Sequence, residues 1–173
     1  MDDKKYAFLM ISFDTPELIQ DIQNNIPERE LYIDETDTTN KYGIEKDTHV
    51  TLVPKLDNNT DINEIKKYLK DIKRYKTILT NISVFKSDKY DVLKCDASSV
   101  LLHDTNSDIV KKFKTYSDYD EYHPHVTIAY LKSGMSDKYV KDYLPKLIVL
   151  EPKSFIYSYY DNNGKHKNIK FID

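Results

Sequence analysis

One cysteine, no tryptophan and only three glycines occur among the 173 residues. A lone thiol, Cys95, excludes an intramolecular disulfide and fits a reducing compartment. Set in "YDVLKCDA", it reads as a small buried residue rather than a nucleophile. No apolar run approaches the roughly 20 residues that a bilayer-crossing helix needs. The apolar part of the opening stretch "MDDKKYAFLMISFD" is too short for a signal peptide, so a cytoplasmic location is expected. Basic surplus is missing too. Twenty-six Lys and Arg against 29 Asp and Glu leave a net charge of −3, which argues against a coat for long nucleic acid. It leaves room for a small nucleotide held by local donors. No Gly/Pro/Ser-rich linker divides the chain, and one domain spanning 1–173 is expected, with no obligate protein partner.

What is present describes a globular protein: 39% apolar and 32% charged residues. The fifteen tyrosines read mainly as aromatic packing with wet hydroxyls, although their rings also offer stacking surfaces for bases. "KYAFLMISF" is apolar on both faces and predicts a central strand. In "DTPELIQDIQNNIP", Thr15 as cap, Pro16 at the first turn and the stripe Leu18, Ile19, Ile22 predict a helix. Residues 27–46 are irregular and read as a loop near the strand "HVTLVPKL". A second helix is expected from Ile62, Ile65, Leu69 and Ile72 at helical spacing. "KTILTNISVF" and "YDVLKCDA" pair around "KSDK", and "SSVLLHDTNSDIVKKFK" is a third helix. "HPHVTIAYLK" is a strand, "SDKYVKDYL" a short helix, and the C-terminal segment a hairpin turning at Asn163–Gly164. This order is an α+β or α/β two-layer pattern, with room for a rough internal duplication in which each half donates one strand to a shared cleft.

"DTHVTLVPK" and "HPHVTIAYLK" share the tetrapeptide His-Val-Thr-aliphatic, in a chain of five histidines. Composition alone produces two such copies with odds on the order of one in a thousand, so the repetition points to a site. On a strand, His49 and Thr51 project to one side, and His125 and Thr127 do the same, while Val50, Leu52, Val126 and Ile128 anchor the other. Facing imidazoles suit acid–base catalysis: one takes a proton from an attacking hydroxyl and the other gives one to the departing oxygen. The threonine hydroxyls can bond phosphate oxygens as charge builds. Cleaving an RNA-type phosphodiester with its own 2′-hydroxyl as nucleophile needs these groups and no metal or other cofactor. Zinc is the competing reading, with His123, His125 and either His49 or Cys95 as ligands, but the spacing matches no standard structural site and leaves the threonines without a role. His103 and His166 read as surface residues, and His123, held extended by Pro124, as the entry to its strand. Lys55 and Lys132 follow the two motifs and read as solvated strand-end lysines or as attractors of an anionic ligand. Ala129, on the face of His125, leaves space for one.

The paired motifs resemble the signature of the two-histidine (2H) phosphoesterases. "SVFKSDKYDVLKCD" and "YDEYHPHVTIAYLKSG" are similar to the phage anti-CBASS nucleases, which destroy the cyclic oligonucleotide messengers of a bacterial antiviral system. The resemblance implies a two-lobed fold with pseudo-twofold antiparallel sheets around a central cleft and helices outside. It implies catalytic roles for His49, Thr51, His125 and Thr127, and a cyclic di- or trinucleotide as substrate in the host-cell cytoplasm. By position in the C-terminal region it points to Glu151 and Tyr157 as substrate-binding residues. 2′,5′-oligoadenylate or RNA ends bearing a 2′,3′-cyclic phosphate are alternative substrates, and a non-catalytic nucleotide sponge is a third possibility.

Overall fold

The computed structural model describes residues 5–38 and 40–171. Its strands are β1 (Tyr6–Phe13), β2 (His49–Asp57), β3 (Thr77–Lys86), β4 (Tyr90–Ser98), β5 (His125–Lys132), β6 (Ile148–Leu150), β7 (Pro152–Tyr160) and β8 (His166–Phe171). The helices are α1 (Glu17–Asn24), α2 (Ile62–Asp71) and α3 (Val100–Lys112). All the strands form one antiparallel sheet in the order β6-β3-β4-β5-β2-β1-β7-β8.

The middle of that order is a seam. β2 and β5 pair only through Val50 and Val126, whereas the neighbouring ladders run the length of their strands. Two lobes meet there, each with a motif strand innermost. A pseudo-twofold relates them: β1-α1-β2 on one side corresponds to β4-α3-β5 on the other. Only Glu151 separates β6, at the outer edge of one lobe, from β7 in the other, so the sheet must curl to bring them together. This is the curled two-lobed α+β arrangement that the motif resemblance implies.

Alternation decides what each face holds. On β1, Ala7, Leu9, Ile11 and Phe13 are buried, while Tyr6, Phe8, Met10 and Ser12 are half-buried. The buried rows pack with Ile19 of α1, Ile65 and Leu69 of α2, and Leu102 and Ile109 of α3. The helices thus cover the convex face, and the opposite face stays partly open. Asp61 caps α2 by accepting from the Asn63 amide at 2.8 Å, as its sequence suggests. α1 starts one residue later than expected: Pro16 holds the cap position, and Thr15 instead accepts the Thr48 hydroxyl at 2.7 Å.

"SDKYVKDYL" is not a helix beyond one 3₁₀ turn, Asp137–Tyr139. The β3 edge captures the following backbone: Lys141 and Ile82 exchange amide bonds at 2.9 and 3.0 Å. The 27–46 segment, adjacent in sequence to the first motif, pairs instead with the second motif strand through Leu31–Leu131 and Ile44–Ala129. At the C-terminal turn Gly164 adopts φ +70°, a conformation costly for a side chain, and donates to Asp161 O at 2.8 Å. No helix of the described residues is long and apolar enough to cross a membrane.

Candidate active site

The Val50–Val126 pair fixes the register of the seam. In an antiparallel pair this sets His49 across from Thr127 and Thr51 across from His125, all four on the face opposite the buried valines. The histidines occupy diagonal positions, which in a regular ladder stand about 7–8 Å apart. They are near enough that His49's positive charge depresses the proton affinity of His125. Both rings are half-buried, Thr51 is half-buried, and Thr127 is 8% exposed.

Each imidazole is oriented in the same way. His49 Nδ1 lies 2.7 Å from the carbonyl of Asp47, and His125 Nδ1 lies 2.8 Å from that of His123. A carbonyl only accepts, so Nδ1 carries the proton in both neutral rings and Nε2 is left with its lone pair. The i−2 carbonyl belongs to the residues just before each strand, and at the second one Pro124 keeps His123 out of helical conformation.

The two lobes differ beside these rings. On β4, Lys94 stands across from Thr127 and Asp96 across from His125. On β1 the equivalent places hold Met10, across from Thr51, and Ser12, across from His49. Lys94 is 5% exposed. Its Nζ donates to Ser83 Oγ at 2.6 Å, pairs with Asp96 and lies 4.2 Å from the Phe85 ring centre. Phe85 meets the His125 ring edge-on at 5.1 Å. Burial is the main cause that pushes the His125 pKa below its ordinary 6.5, and the Lys94 charge adds to it. A pocket of about 410 Å³ opens on this side, lined by Phe85, Lys94, Asp96, His103, Tyr122 and His123.

At the far end of the same face, Tyr32, Tyr42, Tyr90 and Tyr130 form a cluster with ring centres 4.9 to 5.7 Å apart. Tyr90 and Tyr130 share the face of Lys94 and Thr127, and the 27–46 segment lays Tyr32 and Tyr42 on them.

The structure therefore gathers His49, Thr51, His125 and Thr127 into one group. It turns Tyr157 away from them, and Glu151 pairs with Lys76 rather than with any of the four. Glu151 is an exposed residue between β6 and β7, 2.6 Å from Lys76. Tyr157 pairs with Leu9 and Ile169 on the covered face and is 0% exposed, because alternation along β7 turns Ser154, Ile156 and Ser158 toward the open face instead. Ala129 is also 0% exposed: the extra residue Ile128 shifts the alternation and sets it opposite the buried Leu93 rather than on the face of His125. Cys95 faces the core at 0% exposure, with its thiol pushed up to about 12 by burial. Among the described residues no three or more His, Cys, Asp or Glu side chains are arranged to hold a metal ion. Lys55 pairs with Asp118, and His103 and His166 are exposed. Reading the sequence missed Lys94, Asp96 and Phe85. The available signal was a lysine and an aspartate two apart, Lys94 and Asp96, in the strand "YDVLKCDA".

No protein-family model matches the sequence, and no curated protein matches it. Solved structures do match in shape. Usb1 of Kluyveromyces marxianus superposes with a TM-score of 0.58 at 11% identity, over 97% of this chain and 99% of that one. Escherichia coli LigT complexed with 3′-AMP gives 0.53 at 14% identity, over 96% and 95%. Thermus thermophilus TT0787 gives 0.55 at 13% identity, over 95% and 94%.

Proposed function

From the fold of the two-histidine phosphoesterases, which this chain carries, we propose that the protein is a metal-independent phosphodiesterase that cleaves 3′,5′ bonds in cyclic di- or trinucleotides. One observation carries this reading: two imidazoles stand on one face of the seam, each anchored through Nδ1 so that Nε2 keeps its lone pair, and each across the seam from a threonine.

The asymmetry supports one order of roles. His125, kept neutral by burial and by Lys94, takes the proton of a ribose 2′-hydroxyl. The 2′-oxygen bonds to phosphorus, the bond to the 5′-oxygen breaks, and protonated His49 supplies that oxygen with a proton. The product is a 2′,3′-cyclic phosphate. In a second step water attacks phosphorus, the now neutral His49 takes its proton, and protonated His125 returns one to the departing 2′-oxygen. Thr51, Thr127 and Lys94 donate to the non-bridging oxygens, whose charge grows in both transition states. The pocket beside Phe85 and the tyrosine cluster offer apolar and aromatic surfaces on either side of the cleaved phosphate, as a substrate with more than one base requires. Acting on such messengers in a host-cell cytoplasm, the enzyme would block a bacterial CBASS response.

A second reading has its own support. LigT was captured with 3′-AMP, and the same four side chains would open a 2′,3′-cyclic phosphate at an RNA end or cleave 2′,5′-oligoadenylate. The test is incubation in excess EDTA with cyclic GMP-AMP, cyclic trinucleotides, 2′,5′-oligoadenylate and 2′,3′-cyclic AMP. Turnover of the cyclic oligonucleotides ahead of the others supports the first reading, and preference for the linear or 2′,3′-cyclic substrates supports the second. Stoichiometric binding without product overturns both.

A further inference from the structure

Both motif strands carry an extra residue just past the motif threonine, relative to their outer neighbours, and β2 gains a second one further on, between Leu9–Val53 and Ala7–Leu56. Between the pairs Met10–Thr51 and Leu9–Val53, β2 has Leu52 in excess. Between Lys94–Thr127 and Leu93–Ala129, β5 has Ile128 in excess. The aliphatic residue that closes each His-Val-Thr-aliphatic motif is therefore a β-bulge, a feature that breaks the ladder locally and re-aims the adjacent side chains.

A bulge held by nothing would leave that aim loose. Here a side-chain amide holds each one. Asn106 Nδ2 donates to Leu52 O at 2.7 Å. Gln23 Nε2 donates to Ile128 O at 3.1 Å and to Glu45 O at 2.7 Å, and the Glu45 amide also reaches Ile128 O at 3.0 Å. The arrangement is crossed. α1, which carries Gln23, follows β1 in the His49 lobe but grips the strand of His125. α3, which carries Asn106, follows β4 in the His125 lobe but grips the strand of His49. Since β2 and β5 pair only at Val50–Val126, these two clamps flank the one residue pair through which the motif strands are joined.

We propose that Gln23 and Asn106 are positioning residues: each fixes the bulge one residue beyond a motif threonine, and so sets the pitch of Thr51 and His49, or of Thr127 and His125, toward the shared space. The rate consequence rests on the phosphodiesterase reading, whereas the geometric consequence does not. Asn106→Asp keeps the shape and loses the donor, Asn106→Gln keeps a donor, and Gln23→Met loses one.

The experiment records the imidazole ¹⁵N resonances and titration curves of His49 and His125 by NMR, alongside kcat and KM for whichever substrate of the panel the wild type cleaves. Asn106→Asp shifts the His49 signals, leaves those of His125 in place, and lowers kcat roughly tenfold with little change in KM, the cost of a misplacement below an ångström. Asn106→Gln recovers most of that loss. Gln23→Met acts on His125 and acts less, because Ile128 O keeps the Glu45 amide. Unmoved ring signals in both variants overturn the proposal, as do equal shifts of both histidines accompanied by loss of cooperative melting. If the wild type cleaves nothing in the panel, the assigned activity fails while the ring spectra still decide the positioning.

Discussion

Lys94 and Met10 occupy equivalent places in the two lobes, each across a strand pair from a motif threonine. One lobe thus puts a buried cation beside its imidazole and the other a thioether. The two lobes are thereby made unequal: burial first, and then this cation, favour the neutral His125 ring, against a smaller opposing pull from Asp96. This favours His125 as the base of the first step in the proposed reaction.

A pH consequence follows from the sign of that effect. The His125 pKa lies below 6.5, so the ring stays neutral and competent as a base as pH falls past that value. The acid limb of the kcat/KM profile therefore falls below pH 6.5. Replacing Lys94 by Met removes one of the lowering charges and leaves Asp96, which raises this pKa, without its partner, so the acid limb moves upward. An acid limb that stays in place in Lys94→Met would detach Lys94 from His125.

The threonines are expected to act on rate. Thr51→Val and Thr127→Val each remove one donor to the phosphate oxygens and should lower kcat by about 10²-fold, the usual cost of losing one such donor. Thermal midpoints should change little, since Val keeps the shape. Steady-state kinetics with melting curves separate the two effects, and an unchanged kcat would leave the hydroxyls without a catalytic part.

Tyr157 provides a contrast. Its hydroxyl is buried with no hydrogen-bond partner and its pKa is pushed up to about 12, chiefly by burial. Tyr157→Phe removes an unsatisfied polar atom and should stabilise the fold by about 1 kcal/mol with turnover unaltered. A loss of substrate affinity in this variant, measured by calorimetry, would return the residue to the binding surface.

The core offers a check on the architecture. Leu9 is 0% exposed and lies on the central strand of its lobe. Leu9→Ala should cost about 2–5 kcal/mol, read by denaturant unfolding, and a cost below about 1 kcal/mol would contradict the packing described.

Much of this was legible in the residues themselves. The period-two pattern of His-Val-Thr-aliphatic set which side chains face the cleft, and two copies implied two strands. Other features depend on long-range pairing that no local pattern encodes. Pairing turned Tyr157 inward, because its parity follows from the β1–β7 register. It also drew residues 140–144 onto the β3 edge rather than into a helix. Lys94 and Asp96 went unnoticed because only the β4–β5 register sets them beside Thr127 and His125. β6 is three residues long and gives no periodic signal of its own.

The most direct measurement follows phosphorus itself. ³¹P NMR of the wild type acting on a cyclic dinucleotide in excess EDTA should show a 2′,3′-cyclic phosphate that forms and is then opened. His49→Ala and His125→Ala should each bind the substrate and form that species at least ~100-fold more slowly. Equal rates in either histidine variant, or a product that forms without passing through the cyclic phosphate, would contradict the pairing of these two rings as acid and base.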